Sequence, residues 1–140
     1  MKQEIAITVD TVIFCIEHSD KKVLLIQRKN DPYKYQWALP GGFLEEDEEL
    51  ETGAKRELKE ETGLKLESLK QLHAFGRIGR DPRGRTISIA FVGSVEKEFE
   101  VVGSDDAREA KWFSIKKLPE LAFDHLQIIS EATESLGVSV

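Results

Sequence analysis

The residues best suited to chemistry in this chain are three glutamates in one short segment. Glu57, Glu60 and Glu61 are spaced i, i+3 and i+4, so on a helix their side chains share one face. Like charges at this spacing destabilise an isolated helix by roughly 0.2–0.5 kcal/mol per pair. Such a face is either solvated or occupied by cations. Mg²⁺ prefers carboxylate oxygens and shares its coordination with substrate phosphates, so the cluster is a candidate metal site.

A loop with two adjacent glycines precedes the glutamates and favours the metal site over the solvated face. Residues 37–44 predict this loop, in which Gly41 and Gly42 would let backbone carbonyls approach an ion closely. A helix is predicted from about Glu48 to Thr62, with an apolar stripe at Leu50, Ala54 and Leu58. Gly63 follows it and suits a left-handed C-cap.

The elements that must position this helix are mainly strands. Alternating and apolar runs predict strands at 4–17, 23–26, 66–80, 85–97 and 110–113, of which 23–26 is apolar on both faces and expected to be central. Residues 81–84, Asp-Pro-Arg-Gly, fit a type I turn between two of them. The predicted elements are mostly strands, with one central and one terminal helix. This order predicts an α/β (α+β) fold in which helices flank a mixed sheet.

A terminal helix is predicted to begin after Asp124. Asp124 is a suitable N-cap residue, and Gln127 completes a capping-box pattern with it. The apolar residues that follow are expected to face inward, and they are Leu126, Ile128 and Ile129. His125, at the start of this helix, is expected on the surface.

Length and charge bound the class of protein. The 140 residues suit one domain, taken as 1–140, and the single cysteine, Cys15, excludes an internal disulfide. The net charge of −6 argues against a broad nucleic-acid surface, which needs basic residues. No apolar run approaches the ~20 residues of a membrane span, and the first residues lack a signal-peptide pattern. We therefore expect a cytoplasmic protein that contacts neither membrane nor nucleic acid.

The segment from Gly42 to Leu64 resembles the signature of the Nudix hydrolase family. That signature is G-x5-E-x7-R-E-U-x-E-E-x-G-U, where U is a bulky aliphatic residue. Every specified position is filled, by Gly42, Glu48, Arg56, Glu57, Leu58, Glu60, Glu61, Gly63 and Leu64. The preceding residues 37–41 and the strand order extend the resemblance over nearly the whole chain.

The resemblance implies a fold, a metal and a reaction. The fold is an α/β/α sandwich, and the cofactor is Mg²⁺ or Mn²⁺. Its ligands would be Glu57, Glu60, Glu61 and a backbone carbonyl near Gly41 or at Gly42. The reaction is hydrolysis of the diphosphate linkage in a nucleoside diphosphate joined to another group. Water would attack one phosphorus in line, and the other phosphate would leave.

The resemblance also assigns roles to the charged residues of the signature. Glu57, Arg56 and Glu61 are the predicted catalytic residues, with Arg56 orienting the glutamates. Glu48 is expected as a peripheral ligand or a hydrogen-bond partner. The general base is either Glu57 or an acid in 98–109, where the candidates are Glu98, Glu100, Asp105, Asp106 and Glu109.

Within the family, the chain most resembles small single-domain ADP-ribose pyrophosphatases. Residues 81–85, 105–113 and 121–125 carry this resemblance, which implies that ADP-ribose is split to AMP and ribose 5-phosphate. The predicted substrate contacts are Arg28, Trp37, Arg77, Arg80 and Phe123. Tyr33 is a further candidate for stacking a base, and Arg83 is expected at a solvated hairpin tip.

Two other functions stay open. A pyrophosphatase that removes damaged nucleoside triphosphates, of the oxidised dGTP type, would release pyrophosphate instead of two monophosphates. A non-catalytic module that senses ADP-ribose would need a DNA-binding domain, for which few residues remain after about 137, and the complete signature argues against it. The expected partner is a small nucleoside diphosphate derivative, and a homodimer is one assembly that the resemblance makes plausible.

Overall fold

In the residues that the structure describes, the fold is a seven-stranded mixed sheet with two helices. The computed structural model describes residues 2–17, 19–104 and 107–136. In chain order the elements are β1 (Ala6–Glu17), β2 (Asp20–Arg28), β3 (Trp37–Ala38), β4 (Gly41–Phe43), α1 (Leu50–Thr62), β5 (Lys70–Phe75), β6 (Thr86–Val95), β7 (Ala107–Ser114) and α2 (His125–Ser135). Neither helix in the described residues has the length and apolar content that a membrane span requires.

The centre of the sheet splits where β1 and β2 diverge. They pair antiparallel only from Phe14–Val23 to Glu17–Asp20, while β1 runs parallel to β6 along its length. Beyond the hairpin, β4 pairs with β1 at Thr8–Asp10, and β3 pairs with β2 at Ile26 and Gln27. The segment that contains both short strands therefore fills the split and brings Gly41 and Gly42 between the two central strands.

The two faces of the sheet bury two separate apolar clusters, one under each helix. Leu24 packs with Ala54 and Leu58 of α1, whereas its neighbour Leu25 packs with Ile128 and Ile129 of α2. Successive strand residues point to opposite faces, so each strand can serve both clusters. Burying one such large aliphatic side chain contributes roughly 1.5–3 kcal/mol. This arrangement confirms the predicted α/β/α sandwich.

The strands differ from the sequence-based expectation mainly in length. Residues 37–44, predicted as a loop, contain the short strands β3 and β4, because β3 pairs with two positions of β2 and β4 pairs with three positions of β1. The strands predicted at 66–80 and 85–97 shorten to β5 and β6, since the chain leaves the sheet after Phe75. The turn at 81–84 forms as expected, with the Gly84 amide 3.4 Å from the Asp81 carbonyl.

The structure confirms the cap predicted at the end of α1, whereas the side-chain cap predicted at the start of α2 is wrong. Gly63 adopts φ 78° and donates its amide hydrogen to the Lys59 carbonyl, as a left-handed C-cap should. Asp124 stands at the N-cap position of α2 but makes no side-chain cap hydrogen bond, since its carboxylate binds Arg80. Gln127 donates to Glu131 instead of completing a capping box. Leu126 is 60% exposed, so it does not face inward as predicted.

Candidate functional site

A cavity of about 380 Å³ opens beside the split in the sheet. Residues from β1, β4, α1, the β5–β6 connection and the start of α2 line it. Ligand sites of small molecules typically occupy 300–1,000 Å³, so the volume suits a nucleotide-sized compound. The cavity has an acidic end, a floor of buried polar groups, and an end lined by arginines and aromatic rings.

The acidic end is formed by Glu57 and Glu61 of α1. Both line the cavity, and Glu61 is only 4% exposed, with Oε1 accepting a hydrogen bond from the Gly41 amide at 2.8 Å. Glu60 lies on the exposed side of the same helix face and does not line the cavity. Across the described chain, no three histidine, cysteine or acidic side chains converge closely enough to surround an ion. Two carboxylates thus face the cavity together.

The two glycines of β4 are required by close packing. A Cβ on Gly42 would lie 2.6 Å from the carboxyl carbon of Glu57. A Cβ on Gly41 would lie 2.2 Å from Oδ1 of Asp10 and 2.4 Å from the carbonyl oxygen of Val9. The backbone can therefore approach the Glu57 carboxylate as closely as a shared ion would need. This cradle and its all-oxygen donors fit Mg²⁺ or Mn²⁺, which accept carboxylate, carbonyl and water oxygens.

Arg56 ties the acidic residues of the signature together. Its Nε and Nη2 donate to the two oxygens of Glu48 at 2.9 and 2.7 Å, and its Nη1 donates to Glu57 at 2.8 Å and to Glu60 at 3.1 Å. The bonds to Glu48 raise the pKa of Arg56, and Arg56 in turn lowers the pKa of Glu48. Glu48 was expected to be a peripheral metal ligand or a hydrogen-bond partner, and in this structure it is the hydrogen-bond partner of Arg56.

The opposite end of the cavity combines cations with aromatic rings. The Arg28 guanidinium lies 5.0 Å from the ring centroid of Phe123, and the Arg83 guanidinium lies 4.8 Å from Phe43 and 5.3 Å from Phe123. These are cation–π distances, and a nucleobase can stack on the same surfaces. Arg83 stays exposed at the hairpin tip, as expected, but its guanidinium reaches back to line the cavity.

Asp81 holds Arg83 in this position. Nη2 of Arg83 donates to Oδ2 of Asp81 at 2.8 Å, and Nε and the backbone amide donate to Oδ1. Burial alone would raise the pKa of Asp81, but the hydrogen bonds from Arg83 outweigh it and the pKa is lowered. The side chain of Asp81 therefore remains charged and fixes the arginine beside the rings.

The floor of the cavity contains buried polar groups that sequence reasoning missed. Asp10 accepts hydrogen bonds from the hydroxyls of Thr8 and Ser88, and His125 accepts one from the Leu39 amide at 2.9 Å. The expectation that His125 lies on the surface is wrong, because it is 4% exposed. A single polar residue beside a helix start carries no periodic signal of burial. Asp10 directly follows the alternating apolar residues of the first predicted strand, and this position was the one sequence signal that it could be buried.

The structure brings three of the five predicted substrate contacts to the cavity. Arg28, Arg80 and Phe123 line it. Trp37 instead packs against Phe113 in the apolar core, with ring centroids 4.7 Å apart. Arg77 lines a separate shallow depression. Tyr33 packs edge-on against Phe123, with centroids 4.8 Å apart.

The acids proposed as alternative bases lie elsewhere or outside the described residues. Glu98 binds Lys22 at 2.8 Å, and neither it nor Glu100 nor Glu109 lines the cavity. Asp105 and Asp106 lie outside the residues that the structure describes. Glu57 is the candidate base that faces the cavity in the described chain.

Comparisons with known proteins agree on one family. A family model described as "NUDIX domain" matches residues 7–132. The chain is 48% identical over 128 residues to an "ADP-ribose pyrophosphatase" of Methanocaldococcus jannaschii, which covers 90% of this chain and 72% of that protein. It is 35% identical to the "ADPR responsive transcriptional repressor NtrR" of Acinetobacter baylyi, over 93% of this chain and 54% of the repressor.

Solved structures show the same relationships. The NUDIX domain of Shewanella oneidensis NrtR complexed with ADP ribose has a TM-score of 0.89 at 35% identity, covering 97% of this chain and 90% of that one. A bifunctional NMN adenylyltransferase/ADP ribose pyrophosphatase of Francisella tularensis, complexed with AMP and a Mn ion, has a TM-score of 0.85 at 34% identity. That match covers 96% of this chain and 42% of the bifunctional protein, so the chain spans less than half of its length.

Proposed function

The chain belongs to the NUDIX family, and on that premise we propose that it hydrolyses ADP-ribose to AMP and ribose 5-phosphate. The observation that carries this proposal is the 48% identity, across 90% of the chain, to a protein named ADP-ribose pyrophosphatase. The complete glutamate signature, with Glu57 and Glu61 lining a nucleotide-sized cavity, supports a catalytic role.

The cofactor in this proposal is Mg²⁺ or Mn²⁺. Its ligands would be Glu57, Glu61 and the backbone carbonyl of Gly42, and Glu60, which does not line the cavity, would join them by turning its carboxylate away from Arg56. A bound ion would neutralise the diphosphate and acidify a water molecule. The protein carries a net charge of −6, so a diphosphate needs such cations to enter the acidic end of the cavity.

The residues of the chain supply orientation and proton transfer. Glu57 accepts the proton of the attacking water, and Arg56 holds its Oε1 at 2.8 Å so that the carboxylate keeps one orientation. The Gly41 amide fixes Glu61 in the same way, at 2.8 Å. At the other end, Arg28, Arg83 and Phe123 offer cationic and aromatic surfaces for the adenosine half of the substrate.

Product identification tests the proposed reaction. The purified protein is incubated with Mg²⁺ and, in separate reactions, ADP-ribose, a dinucleoside polyphosphate, a nucleotide sugar and oxidised dGTP. We expect AMP and ribose 5-phosphate from ADP-ribose, with the rate reduced about a hundredfold or more in Glu57→Gln and Glu61→Gln. Glu67→Gln, which changes an exposed glutamate outside the cavity, is the matched control. Pyrophosphate release from oxidised dGTP, with ADP-ribose untouched, would replace the substrate but keep the metal site.

The second candidate function is sensing of ADP-ribose without turnover. It is favoured by the 35% identity to an ADPR-responsive repressor, although this chain spans only 54% of that protein. The two functions differ in one measurement, since a sensor binds ADP-ribose in the presence of Mg²⁺ and leaves it intact. Binding by calorimetry with no AMP formed over hours would support the sensor and contradict the hydrolase.

A further inference from the structure

Two buried polar side chains face each other across the floor of the cavity. Asp10 is 6% exposed and His125 is 4% exposed, and both line the cavity. The Nε2 atom of His125 lies 4.0 Å from Oδ1 of Asp10. This distance is too long for a direct hydrogen bond, so the two atoms do not satisfy each other.

The remaining atoms of both side chains are already engaged. Oδ2 of Asp10 accepts the hydroxyls of Thr8 and Ser88, and Nδ1 of His125 accepts the Leu39 amide at 2.9 Å. Since Nδ1 is an acceptor in a ring whose pKa is lowered by burial, the ring is neutral and its hydrogen is on Nε2. The Nε2 donor of His125 and the Oδ1 acceptor of Asp10 therefore lie side by side, 4.0 Å apart, in the lining of the cavity.

Both atoms face the open volume of the cavity. No fully buried side-chain nitrogen or oxygen among the described residues lacks a hydrogen-bond partner. Nε2 of His125 and Oδ1 of Asp10 make no hydrogen bond within the described residues. Neither atom can therefore be fully buried, and the open space beside both is the cavity. An oxygen placed about 2.8 Å from each could accept from Nε2 and donate to Oδ1. A hydroxyl group has this combination of donor and acceptor.

The position of the pair indicates which hydroxyl it would meet. The backbone of Gly41 packs against Oδ1 of Asp10 on one side, and its amide binds Glu61 at 2.8 Å on the other. The pair therefore lies one residue from the acidic end, where the diphosphate would bind. On its other side, the ring of His125 lies 5.3 Å from that of Phe123, which belongs to the cationic and aromatic end. In ADP-ribose, the group next to the diphosphate on either side is a ribose.

We propose that Asp10 and His125 together bind one ribose hydroxyl of the substrate and so select for a hydroxylated sugar beside the diphosphate. This inference rests on the proposed function, because ADP-ribose supplies the hydroxyl. A substrate without it would leave a buried donor and a buried acceptor unpaired, and sites of this kind reject such analogues strongly.

Three analogues and one isosteric variant test the proposal. The analogues share a methylene-bridged diphosphate, which prevents hydrolysis. The first is otherwise ADP-ribose, the second has 2′,3′-dideoxyadenosine, and the third has cyclopentylmethyl in place of the terminal ribose. Asp10→Asn keeps an oxygen for Thr8 and Ser88 but turns an amide donor towards Nε2 of His125. Asp20→Asn, which changes an aspartate that accepts from Ser114 outside the cavity, is the matched control.

Titration calorimetry with Mg²⁺ is expected to show roughly tenfold or greater weakening of the first analogue in Asp10→Asn, and no change in the control. For one of the other two analogues, Asp10→Asn should bind within twofold of wild type, because the hydroxyl that it would lose is already absent. That analogue identifies which ribose is bound. Equal weakening of all three analogues, or weakening of none, would overturn the hydroxyl contact.

A second variant covers the case in which Asp10→Asn does not fold. His125→Asn keeps an acceptor for the Leu39 amide and removes the Nε2 donor, so it should give the same pattern across the analogues. Failure of wild type to bind any analogue would overturn the substrate proposal and this inference together. Binding with the expected pattern, but without hydrolysis of ADP-ribose itself, would overturn only the hydrolase and leave the hydroxyl contact standing.

Discussion

Arg80 donates two hydrogen bonds to Asp124, from Nε at 2.9 Å and from Nη2 at 2.6 Å. The pair joins the β5–β6 connection to the start of α2, and the Arg80 side chain is 4% exposed. Burial alone would lower the pKa of Arg80, but the hydrogen bonds and charge of Asp124 outweigh it and raise the pKa. Arg80 therefore stays charged, and its two hydrogen bonds to Asp124 fix one wall of the cavity to another.

Removing one partner of this pair should destabilise the protein strongly. Asp124→Ala leaves the Arg80 charge buried without its partner, which typically costs about 3–5 kcal/mol. Urea denaturation measures the loss. The matched control is Glu131→Ala, which breaks the exposed His73–Glu131 pair and should cost less than about 1 kcal/mol. Similar losses in the two variants would show that the Arg80–Asp124 pair adds little to stability.

The same pair shows where prediction from the sequence stops. Helix α1 was predictable because Leu50, Ala54 and Leu58 repeat at helical spacing and Gly63 marks its end, and these are local signals. Asp124 looks equally local, as a residue suited to capping the next helix. Its carboxylate instead binds a guanidinium 44 residues earlier in the chain, and no pattern within one element reports such a partner.

The candidate site likewise has a part that was predictable from the sequence and a part that was not. Glu57 and Glu61 were predictable because they belong to one helix face, and one helical turn brings them together. The floor was not, because Asp10 and His125 lie on different elements and meet only when the sheet and α2 pack. The orientation of Arg83 depends likewise on Asp81 and on aromatic rings from distant segments.

Gly42→Ala should disable the acidic end and leave the fold intact. The new Cβ would lie 2.6 Å from the carboxyl carbon of Glu57, which is the far end of a flexible side chain and can swing away. We expect loss of metal-dependent hydrolysis by about a hundredfold, with a melting temperature within a few degrees of wild type. Activity at several Mg²⁺ concentrations, together with thermal melting, measures both effects.

A second glycine provides the control for this substitution. At Gly76 a Cβ would meet its nearest neighbour, Ile87, at 3.6 Å, which is ordinary contact. Gly76→Ala should therefore keep both activity and stability. Full activity in Gly42→Ala would contradict the view that the Glu57 carboxylate must lie against this backbone.

Arg56→Lys should weaken the response to metal more than it changes stability. Lysine keeps the charge but cannot bind both oxygens of Glu48 while also holding Glu57 and Glu60. Loss of a group that orients metal ligands typically costs about 10–100-fold in metal affinity or activity. The Mg²⁺ concentration for half-maximal activity should rise accordingly.

Lys55→Ala is the control for the arginine variant, because Lys55 neighbours Arg56 and, in the described structure, pairs only with the half-buried Glu51, which does not line the cavity. It should leave the metal response unchanged. An unchanged half-maximal Mg²⁺ concentration in Arg56→Lys would mean that the glutamates hold their positions without the guanidinium.

The burial of His125 should make folding stability depend on pH below neutrality. Burial lowers the pKa of His125, so below about pH 6.5 the unfolded chain binds a proton that the folded protein excludes. The stability contributed by the neutral ring is fully present above about pH 6.5. It falls as the pH falls further, by up to about 1.4 kcal/mol per pH unit, the limit for one proton.

Urea denaturation at pH 7.5 and 5.5 should therefore show that wild type loses more unfolding free energy between these two values than His125→Asn does. His73→Asn, which replaces a histidine with a 47% exposed side chain, should lose as much as wild type. If His125→Asn matches wild type at both pH values, the histidine is not held neutral by its surroundings.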